Sequence, residues 1–420
     1  LTERPTGSPR RDRVLVWVTR TTRGFGAGAL SIVLALDLAR SGYTPFAVGI
    51  LLGLALGAGA GWSLLAPRLE RQWSRRATFV VSAGALAMGG FLLWAAPGEP
   101  VAVLVALLLG GIVAGTADVS PLGALEQATL ADATSETDRT SSYVVYNLLG
   151  YAGGAVGALV AGPLSAVAFG PPPGALVGFH DPTLFVYGLL GLGLVPAYLA
   201  LSRPPDRVAT GPAAPLSPQA RPIVHALSTL FAVDAFGGGL IVNSLVVYYF
   251  AVRYAPPVAV LGALFFASNL AAAASLVLAL PLARRFGLVN TMVFTHLPSS
   301  VVLVLIAFAP SFTLAGALWV GRAVLSQMDV PTRQSYTQAI VPPDDRAAAA
   351  GYTTAARSGQ ALGGPVAGAF LAAGGPWLAA PFAVAGSVKI GYDLALYRRF
   401  RHLRPPEESA GAGGRSEPPS

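Results

Sequence analysis

Twelve apolar stretches follow one another along the chain, and a helix needs roughly 20 such residues to cross a bilayer. They cover residues 14–39, 45–65, 77–96, 101–127, 140–164 and 183–201, then 223–252, 258–282, 288–309, 312–335, 346–372 and 376–397. Hydrocarbon offers the backbone no hydrogen bonds, so each stretch is expected to be an α-helix. The charge content agrees. Only 11% of the 420 residues are charged, against roughly 25% in a soluble domain. This excludes a soluble enzyme and a disordered chain alike. The 49 glycines imply close helix–helix approach in many places. Cysteine is absent, which excludes disulfides, thiolate metal sites and thiol chemistry.

Residues 203–222, RPPDRVATGPAAPLSPQARP, are proline-rich without an apolar period and read as a linker. The expected division is a tail at 1–13, a six-helix unit at 14–202, the linker at 203–222, a second six-helix unit at 223–397 and a tail at 398–420. The first tail is polar and basic and lacks the apolar core and cleavage site of a removable signal peptide. Basic residues set the orientation. Arg40 and Arg253 alone fall on the connections of one side, and Arg20, Arg23, Arg322, Arg357 and Lys389 fall inside spans. The rest of the 28 Lys and Arg lie in the tails or at connections on the same side as the tails. Both termini are therefore expected in the cytoplasm, in an integral protein of the plasma (inner) membrane. The net charge of +8 is a topology signal, and no nucleic-acid partner is implied.

The two halves repeat each other at an offset of 211 residues. Arg23-Gly-Phe-Gly-Ala-Gly28 in span 1 aligns with Asp234-Ala-Phe-Gly-Gly-Gly239 in span 7, and Tyr43-Thr-Pro45 with Tyr254-Ala-Pro256. In span 4, Asp118-Val119 and Gln127-Ala128 align with Asp329-Val330 and Gln338-Ala339 in span 10. Beyond a loop of different length, Tyr146, Gly153 and Gly162 match Tyr352, Gly359 and Gly368. A parallel repeat of this kind places a site near the midplane between the units.

With these residues in view, the chain resembles the major facilitator superfamily over essentially all twelve spans. The stretch from Ser326 to Gly368 and the stretch from Met292 to Ser300 are similar to a group of prokaryotic facilitators. The superfamily's acidic motif after span 2 is altered, with Pro67 where its Asp would stand; Arg284 takes that place after span 8. The glycine-proline pattern of antiporters is loose in span 5 (Gly153, Gly157, Gly162-Pro163) and closer in span 11 (Gly359, Gly363-Gly364-Pro365, Gly368). The resemblance implies an all-α polytopic fold of two pseudo-symmetric six-helix bundles, with spans 1, 7 and 10 lining a central cavity.

Charges inside a span cost about 2.5–3.5 kcal/mol each on insertion scales and default to a functional reading. Asp234 and Arg23 lie near mid-depth at corresponding repeat positions, and they are expected to face each other as a proton-coupling or central ion pair. Asp118 and Asp329 sit toward the cytoplasmic mouth. Asp329 and Arg333 are an i,i+4 pair, and Arg20 is the partner expected for Asp118; these four read as a cytoplasmic gate or a fixed brace. Arg322 and Arg357 need a carboxylate, a carbonyl or an anionic substrate, and Arg322 is the stronger substrate candidate. Asn243, Tyr146, Asn147 and Asn269 complete the expected cavity lining. Tyr248 and Tyr249 read as interfacial anchors, His296 as a packed residue, and Lys389 with Asp393 as a structural i,i+4 pair.

No His-Glu-x-x-His, Gly-x-Ser-x-Gly or Walker motif occurs, so neither an enzyme, a cofactor nor a metal is expected. The resemblance implies secondary active transport of a small molecule by alternating access, as proton-coupled efflux. Uptake by proton symport is the nearest alternative, and a non-transporting receptor or assembly protein on the same fold is the alternative of another class. The expected partners are a small-molecule substrate, protons and membrane lipid, with the chain acting as a monomer.

Overall fold

The computed structural model describes residues 8–109, 120–134, 136–168, 181–202 and 216–403. They form α1 (Pro9–Arg40), α2 (Pro45–Trp73), α3 (Arg75–Ala95), α4 (Pro100–Leu108), α5 (Pro121–Asp132), α6 (Glu136–Ala168) and α7 (Pro182–Leu199) in the first half. The second half holds α8 (Ala220–Gly239), α9 (Asn243–Tyr254), α10 (Val258–Phe286), α11 (Leu288–Ile306), α12 (Phe312–Ser326), α13 (Asp329–Ala339), α14 (Arg346–Ala356), α15 (Gln360–Ala373) and α16 (Ala380–Phe400). No strand occurs among the described residues. The starts follow from local chemistry. Thr44, Ser120 and Asp181 cap free backbone N–H groups, and each is followed by a proline that has no N–H to lose.

Four of the twelve expected spans are not single helices. In span 4, α4 ends at Leu108 and α5 begins after an extended Ser120, with residues 110–119 outside the described set. Span 7 breaks between α8 and α9, just after Gly237-Gly238-Gly239. Span 10 breaks between α12 and α13 because Pro331 cannot donate to the carbonyl of Gln327 one turn back. Span 11 tightens to a 3-10 turn at Arg357–Gly359 between α14 and α15. Among the described residues, eight helical segments are long and apolar enough to cross a membrane unaided, and the segment from Ala220 to Tyr254 is one of them despite its break. Large apolar side chains such as Leu192, Val277, Phe294 and Leu362 stand on the outer surface, as lipid-facing positions require.

The repeat does not give identical helices. Gly24 and Gly28 pack against the backbone of Gly150 and Gly154 on α6, and α1 continues straight through them. The equivalent Gly239 packs against Gln360, and there the chain leaves helical geometry. A second use of glycine joins the halves. A Cβ on Gly53 would meet the Pro365 ring at 2.8 Å, one on Gly368 the Pro45 carbonyl at 2.8 Å, and one on Gly162 the Ala259 Cα at 2.6 Å. Thus α2 lies against α15, and α6 against α10, at backbone distance.

These contacts cluster at the end of the bundle away from the termini. There one apolar core runs from the first half into Leu245, Phe250, Leu261, Trp319, Leu371 and Phe382 of the second. At the end carrying the termini the second half keeps its own clusters, one around Leu227, Met292 and Tyr392 and one around Val224, Val341 and Ala349. Helices α8, α13 and α14 accordingly pack on helices of their own half. Ser217, at the end of the linker, is held to the α13–α14 turn: its N–H and Oγ donate to Asp345 at 2.9 and 2.6 Å. These two bonds hold the Asp345 carboxyl below the usual carboxylate range.

Candidate functional site

Asp234 on α8 is the centre of the polar cluster in the second half. Its Oδ1 accepts from Lys389 Nζ on α16 at 2.6 Å, and its Oδ2 from Arg333 on α13 at 3.3 Å. The same guanidinium nitrogen of Arg333 also reaches Asp329 at 3.3 Å, so the expected i,i+4 contact is made. His296 on α11 lies between two carboxylates. Its Nε2 is 3.7 Å from Asp234, and its Nδ1 is 2.9 Å from Asp393 on α16. Asp393 is fully buried and Asp234 nearly so. In such surroundings a charge survives only with well-placed partners.

The first half carries a matching knot of opposite polarity. Glu126 on α5 is fully buried. It accepts from Thr19 at 2.6 Å, Tyr198 at 2.6 Å and Tyr146 at 2.9 Å. Arg23 on α1 meets both oxygens of the same carboxylate, and it also donates to Ser120 Oγ at 3.2 Å. Phe79 stacks on the Tyr198 ring at 4.4 Å between centroids, which fixes the phenol. From the repeat-related positions of Arg23 and Asp234, span 1 supplies a cation to an anion of span 4, while span 7 supplies an anion to a cation of span 10.

The expected pair between Arg23 and Asp234 is therefore not formed. Each finds its opposite charge within its own half, where helix packing brings partners to hydrogen-bond distance without spanning the interface. The Lys389–Asp393 pairing is corrected in the same way. The long lysine side chain reaches α8, and Asp393 turns to His296, which is thus an ion-network residue rather than an apolar packing group. Tyr146 lies in the Glu126 knot and is not part of the cavity described below. Asn147 and Asn269 do not line it either; Asn269 is buried on α10, its amide nitrogen without a hydrogen bond among the described residues. Arg20 is buried with its guanidinium 5.0 Å from the centre of the Tyr146 ring. Its expected partner Asp118 lies outside the described residues. Tyr249 is fully buried in an aromatic group with Phe250, Tyr254 and Phe382, so it is not an interfacial anchor.

A cavity of about 180 Å³ lies against this network. That is room for about six water molecules at roughly 30 Å³ each. The second half supplies most of the wall, including Asp234, Asn243, Arg322, Asp329, Arg333 and Lys389, and the first half adds Leu56 and Tyr151. The break in span 7 exposes Asn243 at the start of α9, and the break in span 10 exposes Gln327. Tyr151 donates to the Gln327 side chain at 2.7 Å, a hydrogen bond between the halves. Arg322 stands over the Trp319 ring at 4.8 Å. Glu126 escaped the sequence reading because it sits at the end of an apolar stretch and looks solvated. Its signal was an acid in a span whose neighbouring spans carry Arg23 and Tyr198.

Comparison with known proteins adds the architecture. No family model matches the chain. A protein of Saccharomyces cerevisiae described as an uncharacterized membrane protein, YJR124C, is 24% identical over 425 residues, which cover 93% of this chain and 94% of that one. Among solved structures, the D323A mutant of the nucleoside transporter NupG superposes with a TM-score of 0.72 at 14% identity, over 93% of this chain and 99% of that one. The inward-open xylose transporter XylE from E. coli gives 0.66 at 14%, over 92% and 95%. A bacterial homologue of the human lysosomal transporter Spinster, inward-facing and occupied, gives 0.65 at 15%, over 97% and 98%. Likeness at these identities, over nearly the whole of each chain, establishes that this protein has the major facilitator fold.

Proposed function

We propose that the protein is a secondary transporter that carries a small molecule across the membrane by alternating access, coupled to protons. The observation that carries the reading is the charged cavity between two halves that, among the described residues, share an apolar core away from the termini while the second half keeps its own clusters at the end that carries them. Glycine-lined contacts close the end away from the termini, and at the other end the second half packs on clusters of its own. Rocking one half against the other would exchange these ends around a fixed site. The two six-helix units are residues 14–202 and 223–397, acting within a monomer. With both termini cytoplasmic in the plasma membrane, the separated end faces the cytoplasm.

Asp234 is shared by Lys389, Arg333 and His296, and His296 is shared by Asp234 and Asp393. A proton taken up here redistributes these partners, so the arrangement of α8, α11, α13 and α16 responds to protonation. Asp329 and Arg333 act as part of this network at its gate end. The Glu126–Arg23 knot, buried away from the cavity, braces the first half as one body.

The test is reconstitution in liposomes with a pH-sensitive dye inside. Ligands are first found by thermal stabilisation of the purified protein, since a compound that binds the folded state raises its stability. Saturable counterflow of such a ligand, with proton movement lost in Asp234→Asn, is the expected result. Export and uptake differ in the sign of the pH gradient that drives flux, and the same assay reads it. Binding without counterflow supports the receptor reading instead. Flux indifferent to an imposed pH gradient rules out the coupling.

A further inference from the structure

The cavity wall does not balance its own charge. Arg333 and Lys389 are matched by Asp234 and Asp329, as the ion pairs above show. Two more guanidiniums, Arg322 from α12 and Arg357 from the 3-10 turn of span 11, line the same space. No ion pair or side-chain hydrogen bond joins either of them to another described residue, and Arg322 Nε is buried without a hydrogen-bond partner. The Arg322 guanidinium stands over the Trp319 ring face, which attracts a cation but accepts no conventional hydrogen bond. Two guanidiniums that line one half-open space, joined to no carboxylate by an ion pair among the described residues, lack an acceptor that carries negative charge. Planar forks match carboxylate and phosphate oxygens in a bidentate way.

We propose that the substrate is a small organic anion whose carboxylate or phosphate is held between Arg322 and Arg357. The indole of Trp319 and the ring of Tyr151 offer apolar faces beside it, and Asn243 and Gln360 supply neutral polar contacts. The carboxylates of the Asp234 network line the same cavity but are already engaged by Lys389 and Arg333, so they repel the anion less than free acids would. The inference rests on the transport reading for the word substrate; the binding site itself does not depend on it.

Binding is measured on purified full-length protein in detergent, by thermal stabilisation and by tryptophan fluorescence. The probes are phthalate, phenyl phosphate and inorganic sulfate, each beside a neutral counterpart of similar shape: phthalamide, benzyl alcohol and dimethyl sulfone. At least one anion is expected to stabilise the protein while its neutral counterpart does not. Arg322→Gln and Arg357→Gln should each weaken that binding by roughly 10- to 100-fold, the loss of a charge-assisted contact. Arg285→Gln, on the exposed end of α10, should leave it unchanged. Both cavity variants should remain folded, because each removes a charge that has no ion-pair partner. The proposal is overturned if no anion of the set stabilises the protein, if a neutral counterpart binds as tightly, or if both variants retain wild-type affinity. Anion binding without counterflow in liposomes would leave this site standing and remove the transport reading. Counterflow of an uncharged solute, unaffected by either variant, would do the reverse.

Discussion

Asp234 and Lys389 are in contact, but their other partners differ, and that asymmetry has a measurable cost. Lys389 donates to the Asp234 side chain at 2.6 Å and to its backbone carbonyl at 3.4 Å, and it contacts no other carboxylate among the described residues. Asp234 has further company in Arg333 at 3.3 Å and His296 at 3.7 Å. Removing Asp234 therefore strands a buried ammonium, whereas removing Lys389 leaves a carboxylate that is still paired. Breaking a buried pair by losing one partner costs about 3–5 kcal/mol when the survivor is uncompensated. Asp234→Asn is expected at that level. Lys389→Met is expected to cost about 1–3 kcal/mol, the loss of one charged hydrogen bond to a carboxylate that keeps its others. The double variant should cost less than the sum, by a coupling of about 0.5–3 kcal/mol. The assay is reversible unfolding in mixed micelles with an SDS titration, read by tryptophan fluorescence for the four proteins of the cycle. Additive costs, or a lysine variant more destabilised than the aspartate variant, would refute the assignment of partners.

Three further outcomes follow from the same geometry. Tyr198→Phe should destabilise the first half by about 1.5–3 kcal/mol, because the phenol gives a 2.6 Å hydrogen bond to a fully buried carboxylate; the same SDS titration checks it. Gly162→Val should force α6 off α10, since even a Cβ there lies 2.6 Å from Ala259 Cα. Cysteine pairs introduced across the end away from the termini should then cross-link more slowly, on a chain with no native cysteine to interfere. The Ser217–Asp345 contact should matter in one pH range. A carboxyl whose folded pKa is lowered stabilises above its unfolded value of about 3.9 and loses that contribution as pH falls through the folded value. Wild type should therefore resist proteolysis of the linker better than Ser217→Ala at neutral pH, with the difference vanishing in acid.

Much of the architecture was legible because hydrocarbon leaves the chain few choices. Length and apolarity alone marked the stretches that became α1, α2, α3, α10 and α11, and the Asp329–Arg333 contact followed from helical spacing. The interruptions were harder to read. The Gly-rich segment of span 1 and its repeat in span 7 look alike, yet α1 continues and α8 stops. The difference lies in what each segment packs against, which no local pattern contains. Span 10 was read as one unbroken stretch although Pro331 stands in it, and a proline removes a backbone donor wherever it stands.

The ionisable residues divide in the same way. The sequence by itself marked several charges that must find partners: Arg23, Asp234, Arg322, Asp329 and Lys389 stand within apolar stretches, and insertion cost makes each of them conspicuous, whereas the fully buried Glu126 was not marked. Only the tertiary structure decided who the partners are. A buried charge is stabilised over a few ångströms, and that distance is set by helix rotation and crossing rather than by repeat symmetry. Arg23 thus went to Glu126 and Lys389 to Asp234, while Arg322 and Arg357 were left facing the cavity.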